Sequence, residues 1–190
     1  IRVLEKSEET LVSNITNIVK GNVEELCSSA AEHVRELGYK PYIISTNADC
    51  EAKSLGQWFA RTARAIREDN PWKLELPCAV IVGGETVVKV TGNGLGGRNQ
   101  EIALQAAEGI QGMEKTFLFS LASDGTDGPT DAAGGIVDGY TVKALEDKGM
   151  NIREYLEDND AYCALQEVNG LIMTGPTGTN VNDVTVLLIK

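Results

Sequence analysis

Strand-length apolar runs that open into glycine-rich polar loops set the architecture of this chain. Ala79-Val80-Ile81-Val82 runs into GGETVVKVTGNGLGGRNQE, residues 83–101, and Phe117 to Ala122 runs into SDGTDGPTDAAGG, residues 123–135. A third loop, Thr174-Gly-Pro-Thr-Gly-Thr-Asn180, stands ahead of the terminal apolar run Val184 to Ile189. Glycine permits tight turns and close backbone approach, and amides in such loops suit anions. An Arg, side-chain amides and several Asp sit among these glycines, more polar chemistry than turns require. The loops read as a polyanion or phosphate site.

Between the loops the apolar residues recur at helical spacing. Leu26, Cys27, Ala30, Val34 and Leu37 predict a helix from Val23 that stops at Gly38. Leu55, Phe59, Ala63 and Ile66 predict a second over Glu51 to Glu68, and Asn99 to Gly109 a third. Shorter helices are expected at Thr141 to Lys148, Ile152 to Leu156 and Ala161 to Val168. Strands are expected at Ile15 to Lys20, Tyr42 to Thr46, Cys78 to Val82, Phe117 to Ala122, Leu171 to Met173 and Val184 to Ile189. Gly83-Gly84-Glu85 reads as a hairpin turn into a further strand, Thr86 to Thr91. Ile1 to Thr10 reads as a charged tail or linker. The fold class is α/β, a mixed β-sheet with flanking helices and an inserted β-hairpin.

The formal net charge of −11 excludes duplex nucleic acid and an anionic membrane as main partners. An anion must then be held locally, by amides, one or two Arg and a metal. No apolar run approaches the roughly 18 residues of a membrane span, and no signal peptide is visible. Four widely spaced cysteines, Cys27, Cys50, Cys78 and Cys163, suit neither a zinc site nor a disulfide framework. They are expected as core fillers in a reduced cytoplasm. The chain begins with Ile rather than Met, as a piece of a longer protein would.

Arg98 follows two glycines at an expected helix start, where free amides and the positive helix end would help it clamp phosphate oxygens. The alternative is a surface Arg with Asn99 as cap. Asp124, Asp127 and Asp131 fall at the C-terminal end of an expected buried strand, where α/β sheets place ligands. They suit Mg²⁺ or proton transfer, or else turn and cap hydrogen bonds. The loop 174–180 fits a ligand role or a tight turn equally, and the plain reading of Glu85 is a solvated turn residue. The one histidine, His33, reads as surface, which disfavours a Ser-His-Asp mechanism.

Four motifs, in this order and spacing, resemble the C-terminal half of the class II glycerate kinases, including the MOFRL domain. They are Gly83-Gly84-Glu85-Thr86, Gly96 to Glu101, Asp124 to Gly134, and Thr174 to Asn180. The resemblance implies the C-terminal domain of a two-domain kinase, with residues 1–76 joining an N-terminal domain absent from this sequence and 77–190 forming the MOFRL-like domain. It implies ATP-dependent phosphorylation of D-glycerate, to 2-phosphoglycerate, with ATP and Mg²⁺ in an interdomain cleft. Carried over, Arg98 and Asp124 are catalytic, with Asp124 also the Mg²⁺ ligand. Asn22, Glu85, Gly96, Gly97, Asn99, Glu101, Thr126, Asp127, Thr179 and Asn180 would contact substrate or nucleotide. A homodimer stays open. Two rivals remain: an NAD(P)H-dependent hydroxypyruvate reductase, a name such proteins have carried, and a non-catalytic module that binds a phosphorylated metabolite. The first needs a dinucleotide loop directly between strand and helix, a spacing that Gly92 to Gly97 lacks.

Overall fold

A computed structural model describes residues 21–190. The tail expected over Ile1–Thr10 and the strand expected over Ile15–Lys20 lie outside the described residues. The elements are α1 (Val23–Glu36), β1 (Lys40–Ala48), α2 (Ala52–Glu68), β2 (Cys78–Gly84), α3 (Arg98–Ile110) and β3 (Thr116–Ala122). There follow β4 (Gly134–Asp138), α4 (Thr141–Glu146), α5 (Ile152–Glu157), α6 (Ala161–Glu167), β5 (Leu171–Ile172) and β6 (Asp183–Ile189).

The six strands form one mixed sheet in the order β1-β2-β6-β3-β4-β5, parallel between β1 and β2 and antiparallel elsewhere. The terminal strand β6 lies between β2 and β3, covered on both faces, which is why its sequence is almost continuously apolar. Along β2 the side chains alternate. Cys78, Val80 and Val82 join the larger core beneath α2 to α6, whereas Ala79 and Ile81 meet Cys27, Ala31 and Val34 of α1. Fully buried side chains such as Phe59 and Leu187 contribute about 1.5–3 kcal/mol each. α3 is buried on nearly every side, pressed between α2 and the sheet. A Cβ at Gly56 of α2 would collide with the Ile102 carbonyl, so glycine there sets how closely these two helices approach. β1 and α2, which precede residue 77, share the sheet and the larger core with the residues after it.

Three features differ from the sequence reading. There is no inserted hairpin: β2 already pairs with β1 on one edge and β6 on the other, leaving no edge for a returning strand. Residues 86–91 run instead as a strap, tied to the start of α2 by a parallel bridge between Glu51 and Val87. β4 was not foreseen, because its first two residues are glycines that continue the preceding loop. Of the four cysteines, Cys27 and Cys78 are buried as fillers, but Cys50 is exposed and Cys163 half-buried.

The strand register brings the loops to one edge of the sheet. Ala48 lies opposite Gly84, Gly84 opposite Asp183, Asp183 opposite Ala122, and Leu121 opposite Gly134. The carboxyl ends of β1, β2 and β3 therefore share a rim with the start of β6. That is the position in which open α/β sheets hold ligands.

Candidate active site

Arg98, the first residue of α3, reaches across the rim to the start of β6. Its Nε donates to Asp183 Oδ2 at 2.5 Å and its Nη2 to Oδ1 at 3.0 Å. The third nitrogen, Nη1, stands 3.3 Å from Glu85 Oε1. Asp183 is buried while Arg98 stays partly open. The Asp183 hydrogen bond holds the guanidinium pKa above its ordinary value against the opposing effect of burial, so this Arg is a fixed positive charge.

The start of α3 is not open to a ligand along its whole first turn. The Asp127 carboxylate, 1 % exposed, accepts from the Asn99 amide at 3.1 Å and the Gln100 amide at 2.9 Å, and from Asn99 Nδ2 at 3.2 Å. Asp127 thus caps the helix from another loop. A Cβ on Gly97 would run into the Asp127 carboxyl group, so only glycine lets this cap seat. Burial pushes the Asp127 pKa up, and the bonds from Gln100 and Asn99 pull against it. Asn99 Oδ1 in turn accepts from Ser120 Oγ at 2.6 Å, and Ser120 meets Thr185 Oγ1 at 2.7 Å beneath it. Asn99 and Asp127 face into the protein, where they hold α3 on the sheet.

The glycine loop is clasped from behind by the turn between α5 and α6. Asn159 Oδ1 accepts from the amides of Thr91 (2.7 Å) and Gly92 (3.0 Å). Asp158 takes Asn93 through its side chain (2.9 Å) and Gly94 through its carbonyl (2.8 Å), and Asp160 Oδ1 takes Leu95 (2.9 Å). Among the described residues, the amides of Gly96, Gly97 and Arg98 have no such partner. They open onto a cavity of about 820 Å³ bounded by the strap, the loop and residues 159–161. Inside it, buried Glu101 accepts from Lys53 Nζ at 3.1 Å and Asn159 Nδ2 at 3.3 Å, both on Oε1. Burial raises the Glu101 pKa; the Lys53 hydrogen bond and charge oppose that rise.

Asp124, Thr126, Thr179 and Asn180 gather in a second cluster. Asp124 Oδ1 accepts from the Thr126 amide (3.0 Å) and hydroxyl (3.3 Å), and Oδ2 from Asn180 Nδ2 (3.3 Å). Thr177 donates to the Ser123 carbonyl at 2.5 Å, and its hydroxyl receives the Thr179 amide at 3.4 Å. Ser123 Oγ accepts the Val181 amide, which ties this cluster to the strand that carries Asp183. Asn22 is the N-cap of α1, its side chain accepting from the Glu25 amide at 2.8 Å. Among the described residues, no three His, Cys, Asp or Glu side chains converge as metal ligands.

The structure thus brings Arg98, Glu85, Gly96, Gly97 and Glu101 to one cavity, and Asp124, Thr126, Thr179 and Asn180 to a neighbouring loop pair. Sequence reading missed Asp183, Lys53 and Asn159. Asp183 had one signal, an acidic residue immediately ahead of a buried strand. Lys53 and Asn159 come from distant helical segments and had none.

The sequence model of the MOFRL family matches residues 78–183. The D-glycerate 2-kinase of Thermotoga maritima is 49% identical over 179 residues, 94% of this chain and 42% of the relative. The glycerate 2-kinase of Pyrococcus horikoshii is 41% identical over 186 residues, 96% of this chain and 42% of the relative. A crystal structure of glycerate kinase from Thermotoga maritima superposes with a TM-score of 0.87, covering 90% of this chain and 41% of that one. The chain spans about two-fifths of the length of these curated relatives.

Proposed function

This chain belongs to the MOFRL family, and from that premise we propose that it forms one wall of an active site that transfers the γ-phosphoryl group of ATP to D-glycerate. The observation that carries the reading is the run of amides Gly96-Gly97-Arg98, without partners among the described residues, beside a guanidinium fixed by Asp183. Phosphoryl transfer asks for positioning and charge neutralisation rather than covalent chemistry, and these groups supply both. The names of the two archaeal and bacterial relatives support the choice of acceptor.

In this mechanism a glycerate hydroxyl oxygen bonds to the γ-phosphorus as the β–γ bridging bond breaks, and ADP leaves. Arg98 neutralises charge on the transferring group. Asp124 orients the hydroxyl and receives its proton, while Thr126, Thr179 and Asn180 line the neighbouring loops. The product is 2-phosphoglycerate. In the alternative role Asp124 would be the one protein carboxylate on a Mg²⁺ ion held chiefly by nucleotide phosphates, orienting that ion instead of taking the proton. Its charge would offset that of the phosphates. The facing wall comes from an N-terminal domain, and the residues before 77 that join it, β1 and α2 among them, also build the sheet and core of the MOFRL unit. We place the enzyme in the cytoplasm on its likeness to metabolic kinases.

A reductase gains no support from the geometry. A dinucleotide site needs a tight turn from strand to helix, but residues 85–97 separate β2 from α3. The test is a ³¹P NMR time course of the complete gene product with Mg-ATP and D-glycerate. A new phosphomonoester signal at the position of authentic 2-phosphoglycerate is the expected result. Intact ATP with no product would overturn the reading.

A further inference from the structure

The cavity beside Arg98 is larger and more acidic than a small organic acid needs. Its volume of about 820 Å³ lies in the range of pockets that enclose drug-sized or cofactor-sized ligands. A three-carbon acid would fill a small part of it. Its charged lining is Asp49, Glu85 and Glu101 against Arg98 alone, with Lys53 behind Glu101.

The walls carry further features that suit a bound nucleoside. Val87 and Val90 are 60% and 74% exposed, leaving apolar surface of the strap uncovered. Glu101 Oε2, on the same cavity wall, accepts nothing among the described residues, since Lys53 and Asn159 both bind Oε1.

We propose that this cavity seats the nucleoside end of the nucleotide, the base against Val87 and Val90 and a ribose hydroxyl on Glu101 Oε2, with the phosphates leading over Gly96 and Gly97 to Arg98. The proposal deepens the kinase reading and rests on it for the identity of the donor. It separates the two substrates: the nucleoside in the cavity, the acceptor across Arg98 towards Asp124.

The experiment is calorimetric titration of the complete protein with the non-hydrolysable nucleotide AMP-PNP, for the unaltered chain and for the double variant Val87→Ser, Val90→Ser. Both valines are exposed, so the variant folds. The expected result is AMP-PNP binding weakened about tenfold, with the KM for D-glycerate within about twofold of the unaltered enzyme. In addition, 2′- or 3′-deoxy-ATP should have a KM several-fold above that of ATP. Unchanged AMP-PNP affinity, with or without a shift in the glycerate KM, would overturn the assignment. Failure of phosphoryl transfer by the unaltered protein would remove the kinase reading, while weakened AMP-PNP binding in the variant would still mark the cavity as a nucleoside site.

Discussion

Arg98 and Asp183, 85 residues apart in sequence, are locked as a two-bond pair at the joint between α3 and β6. The guanidinium is therefore aimed by the carboxylate, and Asp183 acts as a positioning residue for Arg98.

Replacing Asp183 with Asn should leave Arg98 charged but free to swing. In the complete enzyme we expect kcat to fall by about 10- to 100-fold, because misplacement by an ångström has that effect. Arg98→Ala should reduce turnover by about a thousandfold or more, the low end of what an Arg contributes to phosphoryl transfer. The double variant should be no worse than Arg98→Ala alone. Additive losses would show that Asp183 acts on something other than Arg98.

Asp127→Ala should be a stability variant. It strands two buried backbone amides and one side-chain amide, each worth about 1–3 kcal/mol when left unsatisfied. Urea unfolding should show a loss of about 3 kcal/mol or more with an unchanged m-value. Wild-type stability would mean that water replaces the carboxylate and that the α3 cap is dispensable.

Glu101→Gln tests the buried carboxylate through pH. Its folded-state pKa is raised, chiefly by burial, so the native state holds this proton more tightly than the unfolded chain. The stability contributed by Glu101 is complete below the unfolded value of about 4.3 and is lost as pH rises through the folded value. The difference in unfolding free energy, wild type minus Gln variant, should therefore shrink as pH increases from about 4 towards neutrality. A difference that grows over that window would mean that Lys53 outweighs burial.

Thiol labelling should follow exposure. Cys50 is exposed, whereas burial both shields Cys27 and Cys78 and pushes their thiols up; Asp160 and burial push Cys163 up to about 11. Iodoacetamide near neutral pH should modify Cys50 first, with Cys27 and Cys78 reacting only on unfolding. Early modification of Cys27 would indicate that α1 opens from the sheet.

Much of the architecture could be read in advance because periodicity is local information. The helical stripe Leu55, Phe59, Ala63, Ile66 and the apolar β6 each announce their own burial. β4 hid because Gly134 and Gly135 look like loop. They are strand residues because they pair with Leu121 and Ser120 of β3, and glycine is required at 134 because a side chain there would strike the Ser120 backbone. The hairpin was misjudged because turn chemistry is local while edge occupancy is not, and β6 claims the edge of β2 from a hundred residues away. At the site, Arg98, Glu101 and the glycines stood out by type and spacing. Whether Asp127 faced a ligand or the α3 amides depended on how two distant loops meet, which no pattern within either loop encodes.

The clasp of Asp158, Asn159 and Asp160 on residues 91–95 fixes the loop on which the proposed nucleotide would rest. Five amides of the loop are engaged within the protein itself. The loop is held as a rigid platform, and a phosphate bound at Gly96 to Arg98, as proposed, would have no disordered segment to freeze. Association then keeps the free energy that ordering a flexible loop would consume. Backbone hydrogen exchange at Thr91 to Leu95 should be slow before any nucleotide is added and scarcely slower afterwards.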